Sequence, residues 1–421
     1  MFKSISWFKW QGTEHTYKLP WLKNRIEYSA DPDRVKEYVS SCPFTRSRLN
    51  INILKAFHLS THSLVVSNDD HAHLLRKRFY QHMPGQREFP RIAKELSDNL
   101  FRPNLEKGSF KKMNLTDDLI REVYKSLLIN MLGVKLHHPI EDYLQSVVFK
   151  PSTKPLKISG LLVSLGVRGS AFSPVRKLIE LTFFRGDHYM RKVAINLEKL
   201  VINHSTPLEG SWFSALQALK ENGKLSNAQF RGEISSMLVS AFTLSSIISS
   251  LVLCIAARPQ YKVKINRDKD FANSFVNEVL RLYPPFRQFG YERKNTKDIS
   301  QTKKGETTDF MVFTFGLQRN SKSWNNPHKF YPERFVDRKA RNGCDFIPFG
   351  IGPRSCTGRS YSLKLLVALT QYLCSEKSGV ELLLPEDYVA NSEGMPIGIN
   401  GRLISFPSDD RVNVRARVNM I

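Results

Sequence analysis

The chain has 421 residues, of which 41% are hydrophobic, and it carries 63 Lys and Arg against 39 Asp and Glu for a formal charge of +24. That composition supports a sizeable core, and five cysteines (Cys42, Cys254, Cys344, Cys356, Cys374), odd in number and without paired metal spacing, exclude a disulfide framework and point to a reducing compartment. The charge calls for an acidic partner, but the basic residues are dispersed and no nucleic-acid-binding motif accompanies them, so nucleic acid is set aside.

In chain order, the first 26 residues are aromatic and basic, with no continuous apolar run of signal-peptide or membrane-anchor length, which predicts a soluble protein. From Ser29 to about Val66 the chain reads as short extended runs broken by Pro32 and Pro43. Residues 67–83 read as a helix capped by Asn68 or Asp69, with acids in its first turn. Residues 85–230 alternate helical patterns with polar breaks, as in 119–136 and 175–204, without an internal repeat. Ile234 to Ala257 holds no charge and by length could cross a membrane. Its many Ser and Thr residues, and its isolation within a soluble pattern, predict a buried central helix instead.

Further on, Glu278 and Arg281 stand three apart on one face of a helix that Tyr283-Pro284-Pro285 brings to an end. The segment Phe330-Tyr-Pro-Glu-Arg-Phe335 follows. Then comes Phe346 to Gly358, FIPFGIGPRSCTG, a loop that presents Cys356 just before a helix. Gly350, Gly352 and Gly358 let the backbone fold closely against a flat partner. A thiolate at a helix start is favoured by the helix dipole and can donate electron density to iron. Arg354 offers a planar fork suited to a carboxylate. The helix of residues 359–374 comes next, and strand-like pieces lie around Gly398 to Phe406.

Read as Phe-x-x-Gly-x-Arg-x-Cys-x-Gly, the residues Phe349, Gly352, Arg354, Cys356 and Gly358 resemble the haem-binding signature of cytochrome P-450 proteins at every fixed position. Glu278-x-x-Arg281 and Pro332-Glu333-Arg334-Phe335 resemble two further elements of that family, and the likeness runs from about residue 67 to the C-terminus. It implies one domain over 1–421, mainly α with a small β lobe. About 1–66 would form a short, partly β N-terminal part, with the β lobe reduced, and 67–421 the helical haem-binding body. It implies heme b, with Cys356 as the axial metal ligand and Phe349 and Gly358 in the cofactor-binding loop. Arg354, Arg293, His73 and Lys77 would reach the propionates, with His71 and Arg76 as a competing register for the last two. Glu278, Arg281 and Arg334 would form a buried structural network.

The resemblance also places Thr243 at the threonine that manages oxygen and its protons above the haem. Phe242 stands where the family has an acid, and a phenylalanine carries no proton. Next to the substrate, Phe242 is expected to narrow and dry the pocket, while Thr243, Ser240, ordered water or the substrate itself carries protons. The implied activity is that of a haem-thiolate monooxygenase acting on a small organic substrate, in bacterial cytoplasm and secondary metabolism. Electrons would come from a separate acidic ferredoxin or flavodoxin, with no integral membrane anchor. Radical coupling or peroxide-driven oxidation by the same haem, oxidation of a substrate held on an acidic carrier protein, and a non-catalytic haem-binding or sensing role are the alternatives.

Overall fold

The computed structural model describes residues 15–18, 24–41, 45–46, 63, 88–105, 108–147, 185–294, 307–336, 343–352, 355–389, 407 and 409–417. Strands β1 (His15–Lys18) and β2 (Asn24–Ser29) lead into helix α1 (Pro32–Ser41) and the short β3 (Thr45–Arg46). An extended run broken at Pro32 is therefore not what forms. Asp31 Oδ1 accepts the backbone N–H groups of Asp33 and Arg34, at 2.9 and 3.3 Å, and Pro32 occupies the first helical position. Asp-Pro here is a helix start, because proline has no N–H to lose where helical N–H groups have no partner anyway.

Next come α2 (Phe89–Phe101), β4 (Lys111–Asn114) and α3 (Leu115–Leu127), which continues as one π-helical turn over Leu128–Leu132. That turn stops at Gly133 (φ 73°), where an added Cβ would lie 2.4 Å from the Cβ of Ser211. Only glycine meets both demands, so the predicted helix to residue 136 ends early and β5 (Val134–Lys135) follows. Helices α4 (His138–Ser146) and α5 (Arg185–His204), strand β6 (Thr206–Pro207) and helix α6 (Trp212–Glu221) precede the long helix α7 (Asn227–Ala257).

Helix α7 starts seven residues before the uncharged run does, since Ser226 and Gln229 build a reciprocal capping box (Gln229 N to Ser226 Oγ 3.2 Å, Ser226 N to Gln229 Oε1 2.9 Å). Its length and hydropathy would let it cross a membrane, but 89% of its apolar window is buried inside the fold. Burial on all sides explains a helix without a polar face.

Helices α8 (Lys262–Arg267) and α9 (Lys269–Leu282), strands β7 (Gln288–Lys294) and β8 (Thr307–Phe313), helix α10 (Arg359–Cys374), and strands β9 (Val380–Leu383) and β10 (Arg411–Ala416) follow, with short helical turns between some of them. The fold is mainly helical, with three small sheets. In the β lobe five strands join in the order β1-β2-β8-β7-β3, with β2 and β8 parallel and the other pairs antiparallel. Among the described residues, two hydrophobic clusters form the core. The larger draws on α2, α3, α7, α9 and α10, and the smaller joins Tyr38 of α1, Tyr291, Phe310 and Val312 of the sheet, and Ile347. The helix expected over 67–83 and the strand-like pieces of 398–406 lie outside the described residues, as does the 175–184 part of the 175–204 pattern.

Candidate functional site

The frame of the site is a group of charges centred on a buried ion pair. Glu278 and Arg281, one turn apart on α9, both have fully buried side chains. Arg281 Nε and Nη2 donate to the two carboxylate oxygens, each at 2.8 Å, in a bidentate fork. Arg334 Nε reaches Glu278 Oε1 at 3.2 Å, and the backbone N–H of Tyr331 reaches it at 2.8 Å. Arg281 spends its remaining donors on the carbonyls of Gln318 (2.8 Å), Pro327 (2.7 Å) and Lys329 (3.2 Å). A buried ion pair is tolerated only when its other polar atoms are also satisfied, and here they bind the chain running from 318 to 334 onto α9.

That chain holds the cysteine loop. Phe346 and Phe349 are buried in the larger cluster and Ile347 in the smaller, so the segment threads between the two cores. The loop then closes on itself: Gly350 N donates to Ile347 O (3.0 Å), Ser355 N to Gly352 O (3.0 Å) and Cys356 N to Phe349 O (2.8 Å). Gly350 and Gly352 sit at φ 72° and 70°, in the left-handed region that side chains disfavour. An added Cβ at Gly350 would touch the Phe289 ring of β7 at 3.7 Å, an ordinary contact, so backbone conformation and not space calls for glycine there. Cys356 emerges two residues before Gly358, which caps α10.

The described cysteines differ sharply in environment. Cys254 and Cys374 are buried, and burial pushes the Cys374 thiol up to about 12. Burial, aided by Asp345, also raises Cys344, whereas Cys356 is exposed. Only a thiol that can shed its proton and reach outward can act as a ligand.

Helix α7 supplies the other wall. From Gly232 to Ala256 every residue is buried except Ser236, Ser240 and Thr243. Their spacing of four and three puts three hydroxyls on one stripe, the open side of an otherwise enclosed helix. Ser236 Oγ donates to Gly232 O at 2.9 Å and Ser240 Oγ to Met237 O at 2.6 Å, which leaves their oxygens as acceptors. Phe242 does not share the stripe. It is 6% exposed, in the larger cluster, with its ring edge-on to Tyr124 of α3 at a centroid distance of 5.4 Å. The expectation that Phe242 narrows the pocket is corrected on this point, because one residue is a rotation of about 100° on a helix.

Of the remaining sequence candidates, Arg293 lies on β7 opposite Thr308, its side chain outside the described residues. Arg354, His73 and Lys77 lie outside them altogether. The sequence reading did not single out Ser236, which the four-and-three hydroxyl spacing could have revealed.

The donor chemistry fits a haem. Among the described residues no group of three or more His, Cys, Asp or Glu side chains gathers to hold a metal ion. A single soft sulfur on a turned-out loop is the donor that iron in a porphyrin takes from a protein.

Comparison with known proteins agrees. The family model described as cytochrome P450 matches residues 13–373. Cytochrome P450 3A15 of Cavia porcellus is 30% identical over 178 residues, which cover 34% of this chain and 35% of that protein. Cytochrome P450 4A24 of Sus scrofa is 27% identical over 46% of this chain and 42% of that protein. The chain thus aligns with between a third and a half of the length of these curated relatives. Among solved structures, a six-coordinated cytochrome P450 from Thermus thermophilus superposes with a TM-score of 0.64 at 15% identity, covering 96% of this chain and 94% of that one.

Proposed function

We propose, from the premise that this chain belongs to the cytochrome P450 family, that it is a haem-thiolate oxidoreductase that monooxygenates a small organic substrate. The observation that carries this reading is the Cys356 loop, which turns one exposed thiol outward at the head of α10 while the other described cysteines stay wholly or partly shielded. Residues 1–421 form one domain, and heme b binds with Cys356 as its metal ligand. When bound, that haem supplies the reductive activation of dioxygen next to a thiolate.

The chain's own residues do the rest. Phe349 and Gly358 flank the ligand, and Arg354, Arg293, His73 and Lys77 pair with the propionates. The Glu278–Arg281–Arg334 network keeps the loop from drifting. Substrate lies against the open stripe of α7, where Thr243 and Ser240 hold water and pass protons inward in place of the acid that Phe242 replaces. Ser236 extends that stripe by one turn. An acidic ferredoxin or flavodoxin delivers electrons, drawn by the +24 charge.

The deciding experiment is the absorption spectrum of the reduced, carbon-monoxide-bound protein beside that of Cys356→Ser. A thiolate-type Soret band lost in the variant supports the reading, and a histidine-type band or no bound haem sinks it. One observation favours a second reading: the stripe holds hydroxyls and no carboxylate. Peroxide-driven oxidation or radical coupling needs less proton delivery at this point. Turnover with hydrogen peroxide alone, or a dimeric product without inserted oxygen, would select it.

A further inference from the structure

Gln318 is the first residue after a single helical turn, Thr314–Leu317, and its side chain is completely buried. Its amide nitrogen donates to the carbonyls of Leu280 (3.0 Å) and Arg281 (2.9 Å), the two residues before the last of α9. Its amide oxygen accepts the backbone N–H of Ile347 at 2.9 Å. One carboxamide thus joins the C-terminal end of the helix that carries Glu278 and Arg281 to the first turn of the loop that carries Cys356. The path continues without a gap, from Ile347 O to Gly350 N (3.0 Å) and from Phe349 O to Cys356 N (2.8 Å). Ile347 sits where the segment passes between the two hydrophobic clusters. Its N–H points inward, away from any water that could replace the bond.

The demand at this point is two donors and one acceptor on a single side chain. A carboxamide meets it, whereas a neutral imidazole offers one donor and one acceptor, and an imidazolium offers no acceptor at all. We infer that Gln318 is a positioning residue for Cys356: it fixes the depth of the loop, so that the thiol is presented as an anionic ligand and not withdrawn as a neutral one. This inference rests on the haem-thiolate reading. It assigns the task to a residue that touches neither haem nor substrate.

The test compares the wild type with Gln318→Leu and Gln318→His, each loaded with haem. It reads the share of the reduced carbon monoxide complex that shows the thiolate-type band across pH 5.5 to 8. In parallel, hydrogen exchange is measured at the Ile347 amide in protein without haem. In Gln318→Leu the thiolate share is expected to fall at least twofold and the Ile347 amide to exchange about tenfold faster, because the bond is gone. Gln318→His should keep the band at pH 8 and lose it towards pH 5.5. Its imidazole, near an ordinary pKa of about 6.5 or lower through burial, can accept the Ile347 N–H while neutral and loses that acceptor as it protonates. The wild type should show no such dependence. A role confined to stability would lower the melting temperature of both variants and leave the thiolate share flat with pH, which would overturn the inference. Should Gln318→Leu fail to fold, the pH profile of Gln318→His decides alone. A wild type without a thiolate band at any pH would refute the family reading of Cys356 instead. The exchange rate at Ile347 would still show whether Gln318 holds the loop.

Discussion

Replacing Glu278 by glutamine removes one charge and almost no volume, so it isolates the electrostatics of the buried network. Glu278 accepts four bonds: two from Arg281, one from Arg334 and one from the Tyr331 N–H. The glutamine oxygen can keep one side of these, but its amide then turns a donor towards an Arg281 donor. At least one charge-assisted bond is lost, worth about 1.5–3 kcal/mol. The guanidinium of Arg281, with no exposed side-chain surface, is also left without a counter-charge. Breaking such a pair costs about 3–5 kcal/mol, a reduction of roughly 10²- to 10⁴-fold in the folding constant. Arg334→Gln is the internal control. Its side chain keeps 10% exposure, and it gives up one bond to Glu278 together with solvent-exposed bonds to the carbonyls of Asn325, Asn326 and Lys329, so a smaller cost of about 1–3 kcal/mol is expected. Urea unfolding followed by tryptophan fluorescence suits both variants, because the Trp324 ring lies under the Arg281 and Arg334 guanidinium groups at 5.0 and 5.9 Å. A Glu278→Gln midpoint corresponding to less than about 1 kcal/mol, at unchanged slope, would mean that water reaches the pair and that the network does not lock the loop.

Three further outcomes follow from geometry. Phe242→Asp should not supply a proton donor: it sets a carboxylate against Tyr124 in the core, and soluble yield and melting temperature should fall as far as in Phe242→Ala, by about 3–5 kcal/mol. A gain in coupled turnover would show that residue 242 faces the substrate after all. In haem-free protein a thiol reagent at pH 8 should label Cys356 rapidly and spare Cys254 and Cys374 until unfolding, and haem loading should protect Cys356. Equal labelling at Cys374, read by peptide mass spectrometry, would contradict the burial described. Asp31 is held below the usual carboxylate range by the Lys322 hydrogen bond, against the opposing effect of burial. Its contribution is present above pH 3.8 and lost as pH falls through the lower folded value. Asp31→Asn keeps the helix cap and should cost under about 1 kcal/mol at pH 7, while Asp31→Ala costs about 1 kcal/mol more. The gap between wild type and Asp31→Asn should narrow steadily as the pH falls below 3.8, and a gap that does not change with acid would refute the ion-pair origin.

Local chemistry explains what could be seen in the sequence. The Cys356 loop and α10 are written in consecutive residues, with glycines at the turns and a helix whose bounds coincide with those read from the pattern. The Glu278, Arg281 and Arg334 contact was legible through family likeness, since an acid and a base three apart are common on any helix. Helix α1 was hidden because a proline was taken as a break where it opens a helix. The sheet order could not be read because β8, one of β2's two partners, lies far along the sequence from it, beyond any local pattern. Phe242 was aimed wrongly because adjacent residues on a helix face different neighbours, and only packing against Tyr124 reveals which. Gln318 carried no periodicity at all. Its meaning comes from three backbone groups brought to it by the fold.

The parallel pairing of β2 with β8 also sets an order of assembly during synthesis. Asn24 pairs with Thr307, so the first of these strands leaves the ribosome long before its partner exists, by roughly 15 to 60 s at about 5–20 residues per second. Until then its edge and the apolar face of α1 have nothing to cover them, a state that invites chaperones or misassociation. Ile347 packs into the cluster that this sheet completes, only nine residues before Cys356. The Cys356 loop can therefore set only after β2 has met β8, which makes its closure a late event in the folding of the nascent protein.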